Sequence, residues 1–182
     1  LNTATAILDE TTRGLGGVVN IVGPAGIGKS RLVREVTAIA SARNIPVFST
    51  YCESHTSDVP FHVIARLIRA TSGLEGLDRE SARERLRERM PHVDSDDVRI
   101  LEDLLGIRDT AEALPAIAPD ARRRRLTALI NAGLAARTEP AVYVVEDAHW
   151  IDKASESMLT EFMAVVPQTP SLMLITYRPE YV

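Results

Sequence analysis

The stretch GPAGIGKS, Gly23–Ser30, decides how this chain is to be read. It places one of only two lysines, in a chain with nineteen arginines, between two glycine turns and a serine. Immediately before it, VVNIV (Val18–Val22) is apolar at nearly every position, the pattern of a strand buried on both faces. Immediately after it, Leu32, Val33, Val36, Ile39 and Ala40 recur at helical spacing through about Arg43. A strand, a glycine loop and an amphipathic helix in succession predict a layered α/β fold.

Gly23-x4-Gly28-Lys29-Ser30 matches the phosphate-binding P-loop pattern in full. Glycines allow backbone N–H groups to turn inward around a β-phosphate without a Cβ in the way. The following helix adds the positive end of its dipole. Lys29 is expected to bridge the β- and γ-phosphates and Ser30 to offer its hydroxyl to Mg²⁺. An ammonium on a flexible stem follows a phosphate better than the rigid fork of arginine. The candidate nucleotide-binding set is Gly23, Pro24, Ala25, Gly26, Ile27, Gly28, Lys29, Ser30 and Arg31. Lys29, facing its ligand, is expected to lie outside the core.

A phosphate loop of this kind needs an acidic partner for its metal, and VYVVEDAHWID supplies two carboxylates directly after an apolar strand. Acids at the carboxyl end of such a strand face the phosphates. By position, Glu146 is the Mg²⁺ acid and Asp147 the base that polarises the attacking water.

The remaining elements follow from pattern. Thr5–Arg13 reads as a helix broken by Gly14, Gly16 and Gly17, and VFSTY (Val47–Tyr51) as a second strand. Pro60 opens a helix carrying Phe61, Ile64, Leu67 and Ile68 on one face. Ser81 with Glu84 has capping-box spacing for another, ending before Pro91. Val98, Leu101, Leu104 and Leu105 mark a short helix ended by Gly106, and Pro119 with Asp120 starts a longer one through about Arg137. AVYVV (Ala141–Val145) and LMLIT (Leu172–Thr176) are strands three and four, separated by a helix bearing Met158, Leu159, Phe162 and Met163. Strands alternating with helices imply parallel pairing, with a helical block of about residues 55–138 inserted between strands 2 and 3.

Composition agrees with one globular domain over 1–182: 45% hydrophobic, 25% charged, net charge −4. The negative balance gives no electrostatic case for direct nucleic-acid binding. One cysteine, Cys52, precludes an intrachain disulfide and a cysteine-based zinc site. Cys52, Glu53 and His55 lack zinc-type spacing. The lack of a long apolar run or leader pattern predicts a cytoplasmic protein without a membrane partner. The run Arg122–Arg125 and the charged series Arg79–Arg89 are expected to be solvated helix faces paired with nearby acids.

Together, GPAGIGKSRLVRE, VEDAHWID and ITYRPEY resemble the signalling ATPases of the STAND branch of AAA-like P-loop proteins. The likeness runs from about Leu15 to Tyr181, and is strongest to the modules of bacterial regulators that carry a class III adenylyl/guanylyl cyclase domain or a LuxR-type helix-turn-helix. It implies a three-layer αβα sandwich with strand order 5-1-4-3-2, ATP/ADP with Mg²⁺ as ligands, and Arg178 as the γ-phosphate sensor. His149, Trp150 and Asp152 match the family's extension of its acidic motif. The resemblance also implies a fragment of a longer chain: the adenine-contacting segment would precede Leu1, and strand 5 with the helical and winged-helix modules would follow Val182. A nucleotide switch with slow hydrolysis, an attached output domain and homo-oligomerisation are the expectations. The alternatives are a P-loop kinase for a small acceptor, for which the Arg122 run is the one candidate lid, and a non-hydrolysing oligomerisation scaffold.

Overall fold

The computed structural model describes residues 2–181. Helix α1 (Asn2–Thr11) leads into β1 (Gly17–Val22), and the glycine loop into α2 (Lys29–Ala42) and β2 (Val47–Tyr51). Four helices follow: α3 (His62–Thr71), α4 (Arg79–Arg89), α5 (Ser95–Leu104) and α6 (Pro119–Ala135). Then come β3 (Ala141–Glu146), α7 (Lys153–Val165) and β4 (Ser171–Tyr177).

The four strands form one parallel sheet in the order β1-β4-β3-β2, as the 1-4-3-2 portion of the expected order requires. Val19 aligns with Leu174, Leu174 with Val144, and Val144 with Ser49, so one rung crosses the whole sheet. Alternation along the strands sends their side chains into two separate cores. Val142, Val144, Leu172 and Leu174 pack with Leu8, Val33, Val36, Ala40 and Ile45 of the α1/α2 layer. Their neighbours Tyr143, Val145, Met173 and Ile175 pack with Met158, Leu159 and Phe162 of α7 and with the four-helix block. Three layers result, α/β/α, with the larger core on the block's side.

Two expectations are corrected. β1 is not buried on both faces; Asn20 and Val22 are exposed, because β1 stands at the edge of the described sheet and only β4 and β3 lie inside it. Ser81 is not the cap of α4. Asp78 takes that place, its carboxylate accepting from the Ser81 N–H at 3.0 Å, so the helix starts one turn earlier. An aspartate accepts the orphan N–H as well as a serine does, and the spacing rule cannot choose between them.

The entry to β1 is unusually tight. A Cβ on Gly16 would stand 2.1 Å from the Val166 carbonyl oxygen and 2.4 Å from that of Thr169. Only glycine lets the chain pass there, which fixes where β1, and so the loop after it, begins. Among the described residues no helix is long and apolar enough to cross a membrane.

Three of the four arginines of the run are engaged within the fold, and Arg124 is exposed. Arg122 lies 3.8 Å from Asp103, Arg123 donates to the Ser157 hydroxyl at 3.0 Å, and Arg125 pairs with Asp97 at 2.6 Å and Asp94 at 3.4 Å. These contacts fasten α6 to α5 and α7. In α4, Arg87 grips the fully buried Glu102 of α5 through Nε and Nη2, at 2.6 and 3.2 Å.

Candidate nucleotide site

The loop joins β1 to α2 at the carboxyl edge of the sheet. Gly28 caps α2 in a left-handed conformation, φ 103°, which a side chain would resist. Lys29 and Ser30 are therefore the first two helical residues. Lys29 is not outside the core as expected. It is only 9% exposed, and its ammonium donates to the Gly23 carbonyl at 2.8 Å and the Pro24 carbonyl at 3.1 Å. An ammonium so enclosed needs acceptors, and the loop's own backbone provides them.

Across from the loop, β3 and β4 end together. Asp147 follows β3 in the left-handed region, φ 55°, and its N–H donates to the hydroxyl of the buried Thr176 on β4 at 2.9 Å. Arg178 follows β4 directly. A cavity of about 320 Å³ lies between, lined by Ala25, Gly26, Gly28, Lys29, Ser30, Arg31 and Arg34 on one side and Asp147 and Arg178 on the other. Gly23, Pro24, Ile27 and Glu146 do not line it. Glu146 ends β3 in register with Tyr51, and alternation from Val142 and Val144 puts it on the α2 face of the sheet.

Four cationic side chains face one carboxylate in this cavity. That donor set fits a polyphosphate: backbone and ammonium donors for its oxygens, with the Ser30 hydroxyl and the Asp147 carboxylate lining the same cavity for a hard cation.

Two residues of the acidic motif do more than its pattern disclosed. His149 is 9% exposed at the side chain, its Nδ1 4.0 Å from Asp147 Oδ1. Neither ring nitrogen has a hydrogen-bond partner. Burial lowers its pKa, Asp147 opposes the shift, and Arg178 and Lys29 add to it, which favours the neutral ring. Asp152 caps α7, one carboxylate oxygen accepting from the Ser155 N–H at 2.8 Å and from the Phe61 N–H at 2.9 Å. The Ser155 hydroxyl in turn accepts from the Ile64 N–H at 3.3 Å. The acidic motif is thus bound to the first helix of the block.

Thr176 and Arg34 escaped the sequence reading. Thr176 is the penultimate residue of β4, and the signal it offers is a hydroxyl after the apolar run Leu172–Ile175. Arg34 stands one turn beyond Ser30, whose carbonyl accepts from its Nε at 3.3 Å. Cys52 and His55 diverge: Cys52 is core, its thiol pushed up to about 12 by burial and by Asp152 and Asp147, while His55 is exposed.

A parallel sheet with a glycine loop, a helix-initial lysine and an acidic strand end is the build of a P-loop nucleotide-binding module. The chain belongs to the AAA ATPase domain family, whose profile matches residues 1–175. An uncharacterized protein of Rhizobium meliloti (strain 1021) is 35% identical over 188 residues, which take in 100% of this chain. The chain spans 18% of that relative's length. No solved structure matches it.

Proposed function

We propose that residues 1–182 are the ATP·Mg²⁺-binding switch module of a larger bacterial signalling regulator, of the STAND type, with slow hydrolysis. The observation that carries this reading is the convergence of Lys29, Ser30, Asp147 and Arg178 on one cationic cavity. Lys29 binds the β- and γ-phosphates, exchanging two loop carbonyls for phosphate oxygens. Ser30, on the cavity wall, and Glu146, one residue before Asp147 at the end of β3, would hold the metal. Mg²⁺, when bound, offsets charge on the β- and γ-oxygens. Asp147 orients a water and takes its proton as the water oxygen bonds to the γ-phosphorus. The bridging oxygen leaves with ADP, and Lys29 and Arg178 balance the charge that develops. Arg178 distinguishes ATP from ADP.

The single domain, with its helical block of about 55–138, works in the cytoplasm beside an output domain, a cyclase or a LuxR-type helix-turn-helix. A relative more than five times as long, matched over all of this chain, supports that setting. AAA domains often oligomerise, and assembly into homo-oligomers is the expected readout. The kinase reading loses its lid, since the Arg122 run is engaged by α5 and α7 and does not line the cavity. A non-hydrolysing scaffold remains the competitor. ATP and ADP dissociation constants and ADP release, measured on the full-length protein with and without Mg²⁺, decide between them: nucleotide binding that Lys29→Ala leaves unchanged overturns the whole reading.

A further inference from the structure

We propose that His149 is the positioning residue for Asp147: with nucleotide in place, its Nδ1–H donates to the Asp147 carboxylate and sets which oxygen faces the attacking water. This rests on the hydrolytic reading above. Four observations carry it. The Asp147 carboxylate is 49% exposed, and among the described residues His149 is the group recorded within ion-pair distance of it. A half-exposed carboxylate with no hydrogen bond to its oxygens samples several rotamers and is a poorly aimed base. The Asp147 backbone, in contrast, is held by the Thr176 hydroxyl. Only side-chain torsions need to change for the 4.0 Å separation to become a hydrogen bond of about 2.9 Å.

Second, His149 belongs to a single 3-10 turn, Ala148–Trp150, closed by the Trp150 N–H donating to the Asp147 carbonyl at 2.9 Å. The turn starts on the very residue to be aimed, so the backbone holds the two side chains as near neighbours while their torsions stay free. Third, both ring nitrogens are buried and without a partner. Native proteins rarely leave a buried polar side chain wholly unsatisfied unless another state uses it. Fourth, the charged groups around the ring are Asp147, Arg178, Lys29 and Glu180. Lys29 and Arg178 are the two cations that a phosphate chain would draw toward itself. Of the two carboxylates in that set, Asp147 is the one recorded within 4.0 Å of the ring, which makes it the acceptor for the imidazole N–H.

The test compares His149→Leu, His149→Asn and His149→Gln in the full-length protein. Asparagine places its amide near Nδ1, glutamine near Nε2. Expected is an unchanged affinity for ATP and ADP, within about 2-fold, with turnover reduced roughly 10–100-fold in His149→Leu. His149→Asn restores most of that turnover and His149→Gln does not. A merely structural ring would lower ADP affinity and melting temperature together and would not separate asparagine from glutamine; that result overturns the inference. So does parental turnover in His149→Leu. If His149→Leu does not fold, the asparagine–glutamine contrast decides alone. A parent that binds ATP and never releases ADP refutes the hydrolytic reading itself, and this inference with it.

Discussion

Asp152 accepts a hydrogen bond from the Phe61 N–H at 2.9 Å, joining residues 91 apart in the sequence. The same oxygen caps α7 through the Ser155 N–H. Asp152 lies five positions after Asp147, so the acid at the nucleotide cavity and the entry to the four-helix block belong to one short, braced segment.

Asp152→Ala should therefore cost about 1–3 kcal/mol of stability, by loss of a cap and of a buried acceptor. Ser155→Ala should cost less, since the hydroxyl it removes accepts one long bond from the Ile64 N–H. Chemical denaturation measures both. Nucleotide affinity should hold, because neither residue lines the cavity. Equal stability for Asp152→Ala and parent would mean that the brace carries no weight.

Lys29→Ala should weaken ATP by roughly 1.5–3 kcal/mol, the range for hydrogen bonds to charged groups. The structure adds a second effect. The Gly23 and Pro24 carbonyls lose their donor, so the loop should become more mobile in the variant, visible as faster amide exchange over residues 23–28. Calorimetry and hydrogen exchange read the two effects separately.

Arg178→Ala should leave ADP affinity nearly unchanged and reduce the preference for ATP. Glu146→Gln should weaken the Mg²⁺ dependence of binding, and Asp147→Asn should spare binding and abolish turnover. Dissociation constants for both nucleotides, with and without Mg²⁺, check all three. An Arg178→Ala variant that weakens ATP and ADP alike is no γ-phosphate sensor.

Arg87→Ala strips the partner from Glu102, a carboxylate with no exposed surface. The cost should be about 3 kcal/mol, the low end for breaking a buried pair, because Arg87 is itself 43% exposed and water relieves part of the loss. Urea denaturation should show it. Replacing both by Met and Leu should recover much of the stability.

The lowered pKa of His149 also predicts a pH dependence. The unfolded ring, with a pKa of about 6.5, takes up a proton before the folded one does. Stability conferred by the neutral ring is present above that value and is lost as the pH falls toward and through the folded pKa. Melting temperature followed from pH 7.5 to 5 should fall less steeply in His149→Asn, which cannot titrate.

The sheet and the glycine loop were legible because both signals are local: unbroken apolar runs mark strands, and the Gly-Lys-Ser spacing is fixed by phosphate geometry. The convergence of Lys29 with Asp147 followed from the place of each at the carboxyl end of its strand, where the glycine loop and the acids face one another. What stayed hidden was long-range. Asp152 reads as part of the extended acidic motif until Phe61 is brought to it, and Thr176 as the end of the apolar run LMLIT. The exposure of β1 was missed because an apolar run is the same on an edge strand as in the middle of a sheet. Lys29 turned inward because burial of its ammonium is settled by two carbonyls, which no residue identity records.

Phe61 and Asp147 share one more property, a left-handed backbone at φ 63° and 55°. A side chain held there is uphill by about 1–3 kcal/mol, and these two residues border the braced segment at its two ends. Replacing Asp147 with glycine would relieve that strain and should raise the melting temperature while removing the base. The motif therefore holds a local reserve of instability exactly where chemistry is proposed, and selection for a more heat-resistant chain would tend to erode this site first.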